Sequence, residues 1–195
     1  MRQQIVRPVA FLVAASVTLS ACRSAAQSED AGPAAAAPLV AVEARAWEHE
    51  TSDVPVDPRI HFAILSDFVD APSQDLPGDA EILEAARAGT LALNARFGEG
   101  HADRFFLFHR RRQWNPGENV WMGWERKRGK LEEWNAVLRG AKHTSFSVQV
   151  GDVEILPSVR YCLTLDSDTR RPRDAAKKLV GILAHPLNRP HFDSR

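Results

Sequence analysis

Short apolar runs alternate with helical patterns from Asp57 onward, and this alternation constrains the fold more than any other feature. Residues 60–65 form an unbroken β-prone run that ends at Ser66 and Asp67, which is typical of a buried strand. Further strands are predicted at residues 104–110, 145–150 and 159–165: the first is apolar, the second half-buried and the last buried. Helical patterns occupy residues 79–97, 130–140 and 172–185.

Strands that alternate with helices predict an α/β domain with a mostly parallel sheet flanked by helices. In such folds, ligands bind at the carboxyl ends of the strands. Three residues of the last helix, Ala176, Leu179 and Leu183, share one helical face and are expected to point inward.

The first 22 residues resemble a secretory leader. Arg2 and Arg7 provide a basic start, residues 9–19 are apolar, and "LSAC" (residues 19–22) resembles the lipobox of bacterial lipoproteins, which would place a lipid on Cys22. The alternative is an apolar tail from a misplaced start codon. Residues 23–56 are rich in Ala and Pro and predict a disordered linker, which leaves residues 57–195 as the domain.

The composition is that of an ordinary globular protein. The 195 residues are 44% hydrophobic and 26% charged, with a formal net charge of zero, so no overall bias toward nucleic acid is present. The two cysteines are far apart in the sequence and do not indicate a disulfide framework. Cationic residues are concentrated in "HRRRQW" (109–114) and "ERKRGK" (125–130).

Two acids one residue apart, Asp166 and Asp168, end the last predicted strand. Their mutual repulsion predicts a cation beside them. One interpretation is a solvated turn in which one aspartate caps the following helix. Another is the D-x-D motif of nucleotide-sugar glycosyltransferases, in which the acids hold Mg²⁺ or Mn²⁺ and the metal bridges a diphosphate. The D-x-D-x-T motif of haloacid dehalogenase-type phosphatases does not fit, because Thr169 follows the second acid directly.

The sequences "VWMGWERKRGKLEE" (120–133), "RYCLTLDSDTRRPRD" (160–174) and "LAHPLNRP" (183–190) resemble the glycosyltransferase domain of cyclic β-1,2-glucan synthases. These bacterial inner-membrane enzymes polymerise glucose from UDP-glucose and close the chain into a ring. The similarity extends over about residues 57–193. It implies a partial domain of the GT-A type that would work at the cytoplasmic face of the inner membrane.

The resemblance also implies residue roles. Asp166 and Asp168 would bind Mg²⁺ or Mn²⁺ and the diphosphate of UDP-glucose, with Asp168 the more direct ligand, and Asp67 would face the uridine or ribose. The phosphate side would be lined by four cations: Arg126, Lys127, Arg128 and Lys130. Taken alone, that basic run could equally be a solvated surface. Trp121, Trp124 and Trp134 are either a sugar-stacking surface or part of the core.

The matched stretches contain neither the catalytic base of such enzymes nor the motif that holds the acceptor, so the catalytic residues are unknown. The expectation is a fragment of a glucosyltransferase that is weak or inactive alone, with UDP-glucose and a β-1,2-glucan chain as partners and no nucleic acid. The alternative is a non-catalytic, lipid-anchored envelope protein that retains a remnant binding domain. That alternative requires a functional lipobox at residues 19–22 and export of the chain.

Overall fold

The computed structural model describes residues 60–97, 103–166, 169 and 175–188, together with the backbone of residues 10–19. Within these ranges the chain forms seven strands: β1 (Ala10–Leu19), β2 (Ile60–Phe68), β3 (Phe105–Arg110), β4 (Gln113–Asn115), β5 (Val120–Met122), β6 (Phe146–Val150) and β7 (Val159–Asp166). The same ranges contain three α-helices: α1 (Asp79–Phe97), α2 (Arg126–Leu138) and α3 (Ala175–Ala184). Two 3-10 helices complete the set, at Val153–Ser158 and Pro186–Asn188.

Five strands form one sheet in the order β6-β3-β2-β1-β7. The pairs β1–β2, β1–β7 and β2–β3 are parallel, and β3–β6 is antiparallel. The remaining two strands, β4 and β5, make a separate antiparallel hairpin around the turn "NPGEN" (residues 115–119). The sheet is therefore mostly parallel with helices packed on it, and the predicted α/β class is confirmed.

The two longer helices cover opposite faces of the sheet. Successive side chains of β2 and β3 point to alternate faces, so each helix contacts a different set of strand residues. On one face, Trp134 of α2 packs with Phe106, Phe108 and Phe146 in a fully buried aromatic cluster. On the other face, Ala86 of α1 packs against strand residues that point the opposite way, Ile64, Leu107 and Val150. Both faces of the central strands are thus apolar, which explains the unbroken apolar runs in the sequence.

A buried asparagine fixes α1 to the sheet. The side-chain amide of Asn94 donates to the carbonyl of Phe105 at 2.8 Å, and its oxygen accepts from the Phe105 amide at 2.8 Å. The acidic residues Asp79 and Glu81 lie in the first turn of the helix and Arg96 lies in the last, as the helix dipole favours. The two hydrogen bonds of Asn94 therefore set the position of α1 relative to the start of β3.

The structure corrects two expectations about burial. The last strand, β7, was expected to be buried, but its side chains alternate between half-buried and exposed because β7 is an edge strand with β1 as its neighbour. Leu179 and Leu183 of α3 were expected to point inward, but they are 45% and 62% exposed. Of the three predicted inward residues, Ala176 alone packs on the core, and Ile182 of the same helix is also exposed.

The apolar part of the predicted leader occupies the middle of the sheet. The backbone of Ala10–Leu19 pairs with β2 on one side and with β7 on the other. Cys22 and the predicted linker lie outside the described residues, and processing of the leader stays a prediction. Among the described helices, none combines the length and the apolar character needed to cross a membrane.

Candidate functional site

The strand-ending acids Asp67 and Asp166 lie at the same edge of the sheet. They end β2 and β7, the two strands that flank β1, and in the register of that strand Thr18 is opposite Asp67 and Ser16 is opposite Asp166. Two strand spacings and an offset of two residues along β1 therefore separate their backbones, or about 12 Å. This carboxyl edge is where a parallel α/β sheet binds its ligands. Asp168, the second acid of the motif, lies outside the described residues.

The basic run contacts Asp166, the described acid of the D-x-D motif, through an ion pair. The ammonium group of Lys127, in the first turn of α2, contacts Oδ1 of Asp166. Both side chains are about half exposed, so the pair is accessible from solvent. An ion pair in such a position contributes only about 0–1 kcal/mol and can open at little cost.

Asp67 has a very different setting, because its carboxylate is buried and fully engaged. The guanidinium of Arg110 donates to it through two nitrogens, from Nε to Oδ1 at 2.7 Å and from Nη2 to Oδ2 at 3.0 Å. The ammonium of Lys130 lies 3.0 Å from Oδ2. Burial lowers the pKa of Lys130, and the charge of Asp67 opposes this effect. The predicted contact of Asp67 with the uridine or ribose stays a prediction, and these two cations would compete with it.

The other members of the basic run point to other acids. Arg126 donates to Asp70 at 2.8 and 3.0 Å and also pairs with Glu118. Arg128 pairs with Glu125 at 3.2 Å on the exposed surface. Of the four predicted phosphate-binding cations, Lys127 is therefore the one in contact with Asp166, the acid of the D-x-D motif that the structure describes.

Arg110 also fixes the turn that leads into α2. Its Nη1 donates to the carbonyl of Trp124 at 3.1 Å, and its Nη2 donates to the carbonyl of Arg126 at 2.8 Å. Within this turn, Glu125 and Arg126 have φ angles of 50° and 46°, in the left-handed region that non-glycine residues rarely adopt. A Cβ at Gly123 would lie 2.9 Å from Asp67, so the turn passes close over the buried ion pair.

A buried Ser–His pair lies next to Asp67 in the sheet. The Ser66 hydroxyl and Nδ1 of His109 are hydrogen-bonded at 3.0 Å, and Nε2 of His109 has no hydrogen-bond partner among the described residues. Burial lowers the pKa of His109 to about 4. This imidazole is therefore neutral at pH 7, and it is buried among the described residues.

Sequence reasoning missed Arg110 and Glu133. The Oε2 atom of Glu133 lies 3.5 Å from Nη1 of Arg110, and the same carboxylate accepts hydrogen bonds from Thr144 and Ser145. The available signal was "HRRR" at the end of a predicted apolar strand, because a cation that becomes buried in that position needs a carboxylate partner. Which carboxylate it would find depends on contacts between distant parts of the chain.

The residues predicted to hold the metal fit a hard divalent cation only in part. Asp166 offers a half-exposed carboxylate that already accepts a cationic partner, and carboxylate oxygens suit Mg²⁺ or Mn²⁺. Within the described ranges, no three His, Cys, Asp or Glu side chains converge on a metal position. The metal at Asp166 and Asp168 therefore stays a prediction.

The fold and this edge define the chain as an α/β protein with a candidate ligand site at the carboxyl ends of parallel strands. No family model matches the sequence. The chain is 51% identical over 137 residues to the cyclic beta-(1,2)-glucan synthase NdvB of Rhizobium meliloti (strain 1021). The aligned segment is 70% of this chain and 5% of that protein. The predicted resemblance to cyclic β-1,2-glucan synthases is thereby confirmed, as a resemblance to a fragment of such an enzyme.

Proposed function

We propose that the carboxyl edge of the sheet is the donor-binding part of a GT-A-type glycosyltransferase and binds UDP-glucose together with Mg²⁺ or Mn²⁺. The observation that carries this proposal is the contact between Lys127 and Asp166. It joins a cation of the basic run to an acid of the D-x-D motif, although 38 residues of the described chain lie between them in sequence.

The exposed ion pair supports an exchange of partners. A divalent cation would replace the Lys127 ammonium on Asp166, because a carboxylate binds such an ion more strongly than it binds a solvated ammonium. The released ammonium would then be available for a phosphate oxygen of the donor, as a point charge. When bound, the metal would neutralise charge on the diphosphate. Opening the pair costs little because both partners are already solvated.

The buried ion pairs support the site indirectly. Arg110 and Lys130 both pair with Asp67, which ties the ends of β2 and β3 to the first turns of α2. This arrangement sets the position of Lys127 relative to β7. We therefore assign Arg110, Lys130 and Asp67 to positioning, and Lys127 with Asp166 and Asp168 to donor binding.

Glucan synthesis by this chain alone is a separate matter, and we assign no catalytic base. The proposal is donor binding with weak or absent transfer, at the cytoplasmic face where a sugar nucleotide is available. The glucan chain would be the second partner.

Isothermal titration calorimetry with UDP-glucose and Mn²⁺ tests the proposal on the full chain. We expect Lys127→Ala to weaken binding about tenfold, the value of one charge-assisted hydrogen bond. Arg128→Ala is the matched control, since Arg128 belongs to the same run but pairs with Glu125. Equal affinities for the wild type and Lys127→Ala would exclude Lys127 from the donor site, and absence of any binding would refute the proposal.

A further inference from the structure

A cavity of about 590 Å³ opens at the carboxyl end of β3, between α2 and the segment that leads into β6. Its volume falls within the range of about 300–1,000 Å³ that small-molecule sites occupy. Neither Lys127 nor Asp166 lines it, so it is separate from the proposed donor site. The six side chains that matter here are Arg111, Gln113, Trp124, Glu132, Lys142 and His143.

The first feature is an exposed indole that packs against the start of α2. The Trp124 side chain is 47% exposed and lines the cavity. Its carbonyl accepts from Arg110 at 3.1 Å, and it precedes two residues in the left-handed region. A Cβ at position 129 would lie 2.6 Å from Cε3 of the ring, so Gly129 lets the indole pack directly on the backbone of α2.

The second feature is a set of polar groups that are available to a ligand. The side chains of Arg111, Gln113, Glu132, Lys142 and His143 make no hydrogen bond or ion pair with another described residue. They include donors and acceptors of both charge signs. The wall behind them is fixed, because Glu133 accepts from the hydroxyls of Thr144 and Ser145, both at 2.6 Å.

We propose that this cavity is a carbohydrate-binding site in which Trp124 stacks on a hexose ring. A sugar ring presents an apolar face of C–H groups and a rim of hydroxyls that both donate and accept. A flat aromatic face surrounded by mixed donors and acceptors matches both properties. A simple anion would favour a site of one charge sign, and Glu132 opposes that here. The choice of a glucose-based chain as the ligand rests on the proposed function.

Calorimetric titration of the full chain with a short linear β-1,2-linked gluco-oligosaccharide tests the site. We expect binding by the wild type and an affinity at least about tenfold lower for Trp124→Ala. Trp124→Phe keeps an aromatic face and should retain part of the affinity. The matched control is Trp114→Ala, since Trp114 is 45% exposed, lies on the β4–β5 hairpin and does not line the cavity. Circular dichroism of each variant checks that it is folded.

The possible outcomes separate this inference from the donor proposal. Oligosaccharide binding that depends on Trp124 supports the cavity even if UDP-glucose does not bind. No binding of the oligosaccharide, or equal losses for the variants at positions 114 and 124, overturns it. Binding of inorganic phosphate that Lys142→Ala abolishes and Trp124→Ala preserves, with no sugar binding, would also overturn it, because the cavity would then be an anion site.

Discussion

Arg110 and Asp67 form a two-point ion pair at the ends of β3 and β2, with N–O distances of 2.7 and 3.0 Å and both side chains buried. The same guanidinium also fixes the turn that leads into α2, through Nη1 to the Trp124 carbonyl and through Nη2 to the Arg126 carbonyl. One side chain therefore connects the sheet to the helix that carries the proposed donor-binding lysine. Because lysine cannot form this fork of donors, the site depends on arginine.

Replacing Arg110 with Ala should destabilise the protein by about 3–5 kcal/mol, the usual cost of leaving a buried charge without its partner. Urea unfolding followed by circular dichroism measures this change. Arg128→Ala removes an exposed ion pair and should cost less than about 1 kcal/mol. Similar losses for the two variants would mean that the buried pair does not stabilise the fold.

Stability should fall as the pH decreases from 6.5 toward 4, because His109 is buried in its neutral form. Its folded pKa is about 4, compared with an ordinary value of 6.5, so the unfolded chain binds a proton in this range and the folded chain does not. The contribution of His109 is complete above pH 6.5 and is lost as the pH falls to about 4; its full size is about 3 kcal/mol.

The measurement compares urea unfolding at several pH values for the wild type and for His109→Gln. The variant should lose this part of the pH dependence, whereas His143→Gln, at an exposed position, should keep it. Identical pH profiles for the wild type and His109→Gln would contradict the assignment.

Gly129→Ala should destabilise the protein and displace Trp124. The added methyl group would lie 2.1 Å from the Trp124 carbonyl oxygen, which the backbone cannot accommodate without moving. Overpacking of this kind costs about 1–3 kcal/mol. Gly181→Ala in α3 is the control, because a Cβ there has no neighbour within 4 Å and alanine favours helix by about 1 kcal/mol. Unfolding midpoints and tryptophan fluorescence check both changes, and a stable Gly129→Ala protein with unchanged fluorescence would contradict the described turn.

Removal of residues 1–22 should leave β2 and β7 without the strand between them. The two exposed strand edges favour aggregation, which size-exclusion chromatography detects. A deletion of similar length inside the predicted linker, residues 30–51, is the control and should elute in the same oligomeric state as the full chain. A soluble, folded protein lacking residues 1–22 would contradict the central position of β1.

Metabolic labelling with palmitate tests the lipoprotein alternative. Labelling of the wild type that Cys22→Ser abolishes would support that alternative.

Local pattern was sufficient to predict most of the elements. The strands β2 and β3 and the helices α1 and α2 were predicted correctly, although α2 begins at Arg126 rather than at residue 130. Burial of a strand on both faces leaves an unbroken apolar run, and burial of a helix on one face leaves a helical period. An apolar run of ten residues after a basic start has the same pattern whether it is a leader or a central strand, so the interpretation of Ala10–Leu19 was ambiguous.

The candidate site was less predictable, because its contacts join residues far apart in the sequence. Asp67 was identified as a strand-ending acid, but Arg110 and Lys130 reach it from 43 and 63 positions away and bury it. Composition gives the charges but not which acid each cation meets. The exposure of Leu183 was missed for a similar reason: helical periodicity predicts an apolar face but not whether anything covers it.

The dependence of UDP-glucose affinity on Mn²⁺ tests the central claim most directly. Isothermal titration calorimetry would compare the wild type with Asp166→Asn, each with and without the metal. The proposed site predicts that Mn²⁺ strengthens binding at least about tenfold in the wild type and has little effect in Asp166→Asn, since the amide is a weak ligand for the ion. Equal strengthening by Mn²⁺ in both proteins would contradict the role of Asp166.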